Sequence, residues 1–157
     1  MEKEIINNAF SMTVPEGFLR MSAGELAQLF RDNNPNRWGV WDHERHAVVT
    51  VQWQQYSSLL LRLADLKSIA KRNEQLIRKG YEGHSYRLAG FLSARAENAV
   101  LEGYRFFFRV EGAAQVTETW LLKQGKTVYS ISCTGREENE SADAELFAGI
   151  ISGLRVL

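Results

Sequence analysis

The densest grouping of ligand-type side chains in the chain is Asp42-His43-Glu44-Arg45-His46. A His-x-x-His pair can share a metal where the backbone turns between the two rings; on a straight strand the rings point to opposite faces. His43 and His46 are therefore candidate metal ligands at a hairpin tip, with His84 the one other histidine that could join them. The alternative is a solvated turn. Glu118 is a second candidate. It falls between Val116 and Trp120 on an alternating apolar run, and a carboxylate on an apolar face needs a cation or water. Arg95, Arg105, Arg109 and Arg136 are the cations available for a structural ion pair; otherwise Glu118 lines a cleft, between a sheet and a mobile segment, that receives a ligand. Arg105, Phe107 and Arg109 alternate with Tyr104, Phe106 and Phe108. One side of that strand is aromatic. The other either meets an anion or a partner's acidic strip, or is covered by a helix while the Arg stems reach water. Cys133 lies inside an alternating run with no histidine beside it, and reads as a buried, inert thiol, since a reactive one needs exposure and a base or cation nearby.

No Gly-x-Ser-x-Gly, phosphate-cradling glycine loop, CxxC or HExxH occurs. The expectation is a protein that is not an enzyme and uses no cofactor. Nineteen basic and nineteen acidic side chains cancel, and the thirteen Arg are scattered. Nucleic-acid binders usually carry a basic excess or stripe, so a nucleic-acid partner is not expected. The single Cys133 rules out an internal disulfide and fits a reducing compartment. The opening MEKEIINNAF has no apolar core of signal-peptide length, and no run approaches the roughly 20 apolar residues of a membrane span. A cytoplasmic protein is the expectation.

These residues must be positioned by regular elements, and the clearest of them are in the stretch Gly103 to Thr134. The runs VTETWLL and TVYSISC flank Lys123-Gln124-Gly125-Lys126. With Gln124 and Gly125 as the loop, Trp120 pairs with Tyr129, Val116 with Cys133, Leu121 with Val128, and Glu118 with Ile131. A one-residue slip would move every side chain to the wrong face. Upstream, Phe10 to Val14 reads as a half-buried strand, and Ser22-Ala23-Gly24-Glu25 has capping-box spacing before a short helix that Asn33-Asn34-Pro35-Asn36 stops. Arg37 to Trp41 and His46 to Trp53 read as a hairpin about Asp42 to Arg45. The second strand has one apolar face and one polar face, the latter partly exposed or lightly covered. Ser57 and Ser58 precede a long helix, Leu59 to Lys79, whose Leu59, Leu63, Leu66, Ala70, Asn73 and Ile77 form a core-facing stripe ended by Gly80. Ser85 to Ala96 and Ala99 to Val110 are further strands, with Gly90 and Gly103 marking bulges or turns. A last helix, Ala144 to Gly153, places Phe147, Ile150, Ile151 and Leu154 on one face. Two prolines, four Trp, five Tyr and eight Phe in 157 residues fit one domain with a sizeable core. The order predicts an α+β fold: one antiparallel sheet of six or seven strands flanked by three helices.

Three segments resemble PsbP-like domains. FSMTVPEGF (Phe10 to Phe18) is similar to their opening strand and Pro-x-Gly-aromatic turn, KQGKTVYSISCTG (Lys123 to Gly135) to their late hairpin, and FAGIISGLRV (Phe147 to Val156) to their closing helix. That superfamily includes the PsbP protein of photosystem II, a nuclear-transport factor that binds the GTPase Ran, and DcrB-type bacterial proteins, among them lipoproteins and chaperones of secreted toxins. The resemblance implies a six- or seven-stranded sheet between helices, and no enzyme, since it carries no shared catalytic residues. The lipoprotein cysteine and thylakoid leader of some members have no counterpart here. The expected role is binding through a protein partner, with Arg105, Phe107, Arg109, Glu118, Trp120 and Tyr129 as the contact surface. The alternatives are a cytoplasmic chaperone cradling an apolar segment of a secreted protein, or a small-ligand or metal-binding domain. Net neutrality and surface aromatics are compatible with a homodimer.

Overall fold

The computed structural model describes residues 2–157, apart from the side chains of Leu60 and Leu61. In chain order the strands are β1 (Glu2–Ile6), β2 (Phe10–Val14), β3 (Leu19–Arg20), β4 (Arg37–Asp42), β5 (Ala47–Gln55), β6 (Arg87–Arg95), β7 (Val100–Val110), β8 (Ala113–Gln124), β9 (Thr127–Arg136) and β10 (Arg155–Val156). The helices are α1 (Ala23–Phe30), α2 (Ser58–Leu63), α3 (Leu66–Gly80) and α4 (Glu140–Ser152), with a 3-10 turn, Glu137–Asn139, leading into α4. Seven strands form one antiparallel sheet in the order β3-β4-β5-β9-β8-β7-β6. The α+β architecture is the one predicted.

A second sheet, β1-β2-β10, joins it. The sequence reading placed no strand at Glu2–Ile6 or Arg155–Val156. The missed signal is Asn7-Asn8. Both take positive φ, 51° and 55°, in a turn closed by the Ala9 N–H donating to the Ile6 carbonyl, and asparagine tolerates that conformation.

The β8–β9 hairpin turns at Gly125-Lys126, not Gln124-Gly125. Gln124 pairs with Thr127, Trp120 with Ile131, Leu122 with Tyr129, Leu121 with Ser130, Val116 with Gly135 and Glu118 with Cys133. The register is displaced by two residues from the one expected. A two-residue shift keeps every side chain on its face, so the faces hold while the partners change. Gly125, at φ 62°, occupies the first central position of the turn, where glycine meets no Cβ penalty.

The long helix is broken. Asp65 accepts from the Ser68 N–H at 2.8 Å and caps α3, because a short acidic side chain competes better as a cap than as a mid-helix residue. Leu59 and Leu63 of α2 are 65% and 78% exposed and do not join the core, which corrects the first third of the expected stripe. The capping box of α1 forms as read: Ser22 Oγ accepts from the Glu25 N–H at 3.1 Å, and Glu25 Oε1 accepts from the Ser22 N–H at 2.8 Å. Gly90 marks a bulge, where the β6–β7 register shifts. Gly103 is an ordinary paired position facing Trp120, whose ring would lie 2.9 Å from any Cβ there.

Each face of the large sheet is covered differently. Val49, Val51, Leu122, Tyr129 and Ile131 pack against β2 and against Phe147, Ile150, Ile151 and Leu154 at the α4 end. Each such side chain contributes roughly 1.5–3 kcal/mol on burial. On the other face Tyr104, Phe106 and Phe108 pack with Ile77 and Tyr81 of the α3 end and with Tyr86. The centre of that second face is polar, and the candidate site lies there.

Candidate functional site

α3 is tied down along its second half. The Tyr104 hydroxyl donates to Asn73 Oδ1 at 2.5 Å. Buried Glu74 accepts from the Tyr86 hydroxyl at 2.6 Å and from Arg78 Nε at 3.0 Å. Burial and Glu74 together push the Tyr86 hydroxyl well above the ordinary tyrosine range. Tyr81, just past the helix, packs at a tilt against Phe108, with ring centres 4.6 Å apart.

The first half of α3 and the end of α2 at Leu63 face strands β8, β9 and β5. Those strands offer mainly hydroxyls and amides, with only Leu121 and Val128 as alkyl groups in the floor beneath the helices. Thr117 pairs with Thr134 at 2.7 Å and Thr119 with Ser132 at 3.1 Å. Ser130 and Gln52 follow in the next row across the sheet. Such a surface gives a helix little to pack against, and a cleft of about 950 Å³ opens between the two, within the size range of ligand sites. Gln52, Thr119, Leu121, Val128, Ser130 and Ser132 form its floor. Leu63, Ile69, Arg72, Asn73, Leu76 and Ile77 form its roof, and Asn34 and Asn36 close one end. Leu63 and Leu76 are 78% and 64% exposed, an apolar lip on a hydrogen-bonding floor. Arg72 is the one charged side chain among the described lining residues.

By sequence, no protein-family model and no curated protein matches the chain. By structure it matches cyanobacterial PsbP (CyanoP) of Synechocystis at TM-score 0.72 and 12% identity, over 99% of this chain and 92% of that one. It matches the Ran-binding protein Mog1p of Saccharomyces cerevisiae at 0.64 and 12% identity, over 99% and 94%. A third match is LpqN of Mycobacterium tuberculosis, involved in cell envelope biogenesis, at 0.52 and 9% identity, over 94% and 82%. The fold is PsbP-like.

On this PsbP-like sheet the residues singled out by sequence separate. Glu118 lies on the α4 face, opposite the cleft, so of its two expected roles the structure has the ion pair and not the cleft lining. It sits 3.8 Å from Arg105 Nε and accepts from Trp120 Nε1 at 3.2 Å; Arg105 also pairs with Glu140 at the start of α4. Trp120 and Tyr129 share that face but are 6% and 2% exposed, so they belong to the core and cannot form part of a contact surface. Phe107 is covered not by a helix but by guanidinium groups: Arg87 lies 4.2 Å and Arg105 5.5 Å from its ring centre. Arg109 donates to the Gly112 carbonyl at 2.9 Å. Burial, with Glu118 paired opposite, pushes the Cys133 thiol far above its ordinary range.

His43 and His46 are exposed at the β4–β5 tip, where His43 packs on Trp41 at 4.5 Å and His46 takes a positive φ of 55°. Both border a small depression of about 220 Å³ with Gln115 and Arg136. Among the described residues no group of three or more His, Cys, Asp or Glu is placed to hold a metal ion. No helix of the described chain is long and apolar enough to cross a membrane.

Sequence reasoning missed Arg72, Asn73, Leu76, Ser130 and Ser132 as site residues. A signal was present in the alternation of Ser130, Ser132 and Thr134 along β9 and of Gln52 and Gln54 along β5. It marks one face of two adjacent central strands as polar.

Proposed function

We propose that this chain is a non-enzymatic binding domain that holds an apolar segment of a protein partner in the cleft between α2–α3 and the sheet. The observation that carries the proposal is the pairing of an exposed leucine lip, Leu63 and Leu76, with a neutral hydrogen-bonding floor. The lip supplies apolar contact, and Gln52, Ser130 and Ser132 supply donors and acceptors for a segment's backbone. An apolar, partly open surface rimmed by polar groups marks interaction sites on other proteins. The described lining has no carboxylate, imidazole or thiol, which supports binding over catalysis. One protein of the same fold, Mog1p, is named for binding a protein. A single free thiol is in keeping with action in the cytoplasm.

Selection of displayed peptides on the purified chain, followed by fluorescence anisotropy with the enriched peptides, tests this. Leu63→Ser and Leu76→Ser, both at exposed positions, should weaken binding about tenfold each. Glu118→Gln, on the other face, should leave it unchanged. Enriched peptides that bind both leucine variants as tightly as the parent chain, or that respond to Glu118→Gln instead, would overturn the proposal. The same titration with Trp41-side variants such as His43→Ala separates the cleft from the histidine tip.

A further inference from the structure

Arg72 lines the cleft as an exposed side chain. Arg37, Arg78, Arg105 and Arg155 each stand within ion-pair distance of a carboxylate, while none of the ion pairs or hydrogen bonds among the described residues includes Arg72. It nonetheless faces the cleft. Beside it, Asn73 uses its Oδ1 to accept from Tyr104, which leaves its Nδ2 as a donor. Across the cleft Gln52 uses its Oε1 to accept from Arg37 Nε at 3.3 Å, and its amide nitrogen is likewise left to donate. Three donors with no acceptor of their own thus line one cavity.

The charge of the roof points the same way. The segment Ser58–Gly80 carries Arg62, Lys67, Lys71, Arg72, Arg78 and Lys79 against only Asp65 and Glu74, in a chain with equal numbers of basic and acidic side chains. Both acids are occupied, Asp65 in capping α3 and Glu74 with Arg78 and Tyr86. The roof is therefore electropositive. Ile69 and Leu76 stand three and four residues from Arg72 on the same helix face, so apolar contacts flank the guanidinium on both sides.

We propose that the segment bound in the cleft carries an Asp or Glu side chain between large apolar residues, with its carboxylate on Arg72 and Asn73. This rests on the cleft being the binding site. A guanidinium presents a planar fork that a carboxylate meets with two parallel hydrogen bonds. Such a pair gives specificity through its geometry, while Ile69 and Leu76 take the neighbouring apolar side chains.

The test uses the full-length chain and two labelled peptide pools. One has an acidic residue flanked by Leu, Ile and Phe; the other replaces that residue by its amide. Anisotropy should show the acidic pool bound roughly tenfold or more tightly. Arg72→Gln should reduce the acidic pool to the level of the amide pool and leave the amide pool unchanged, whereas Lys67→Gln should not distinguish the two. Circular dichroism confirms the fold of each variant. Equal binding of both pools, lost in Leu76→Ser, would overturn the acidic preference and leave the cleft reading standing. Binding of neither pool would overturn both. Binding of a single-stranded oligonucleotide or of anionic lipid vesicles, weakened by Lys67→Gln and Lys71→Gln but not by Leu76→Ser, would assign the basic helix to phosphates and overturn this proposal.

Discussion

Asp143, in the first turn of α4, is almost wholly buried, and neither of its carboxylate oxygens has a hydrogen-bond partner among the described residues. Arg45 Nη1 stands 3.9 Å away, too far to donate. Burial raises the carboxyl above its ordinary range, Arg45 opposes that, and Asp42 reinforces it. A carboxyl raised in the folded state holds its proton there at pH values where the unfolded chain has lost it. The group's penalty is therefore absent below the unfolded value of 3.8 and grows as pH rises through the window above it. Asp143→Asn removes the charge at the same size. It should stabilise the protein by about 1 kcal/mol at neutral pH and flatten the fall in stability between acid and neutral pH. Thermal melts across that range check it; a variant less stable than the parent at neutral pH would show that Arg45 outweighs burial. Gly135 makes room for this side chain, since a Cβ there would lie 3.2 Å from the Asp143 carboxyl carbon.

Among the elements, α3 carries the site because it is held unevenly. Its second half is locked by Tyr104–Asn73, Tyr86–Glu74–Arg78 and the aromatic cluster. Its first turn depends on the Asp65 cap, and α2 beyond it presents Leu59 and Leu63 to water. Local opening follows from few buried apolar contacts and exposed backbone hydrogen bonds. Amide hydrogens of α2 and of the first turn of α3 should exchange before those around Asn73–Ile77. Asp65→Ala should cost about 1 kcal/mol and extend fast exchange toward Ile69. Exchange that is uniform along Ser58–Gly80 would contradict this division of the roof.

At the scale of the whole molecule, the meander β6–β9 and the return of β5 beside β9 build one continuous sheet with an apolar face toward α4 and a partly polar face toward α3. One crowded point of that sheet is Gly103, where a Cβ would meet the Thr119 carbonyl oxygen and the Trp120 ring. Gly103→Ala would force the Trp120 ring and strand β8 to move. It should cost about 1–3 kcal/mol, read as a lowered denaturation midpoint with unchanged slope. The PsbP-like fold then supplies a rigid floor, and charge is distributed over it unevenly: a roof rich in Lys and Arg faces a floor without charge.

Much of this was legible in the residue order. Side chains alternate along a strand whatever it pairs with, so VTETWLL and TVYSISC assigned Trp120, Tyr129, Ile131 and Cys133 to one face even though their pairing register came out two residues away. The Ser22 capping box and the Phe147-Ile150-Ile151-Leu154 face of α4 are equally local, and both formed. The site was not local. Arg72 and Ser130 line one cleft only because α3 docks by its far half on β7, through contacts between residues distant in sequence such as Asn73 and Tyr104. Which polar face of which strand lies beneath which half of a helix depends on that docking, and burial, pairing and charge balance at the cleft exist only once it has occurred.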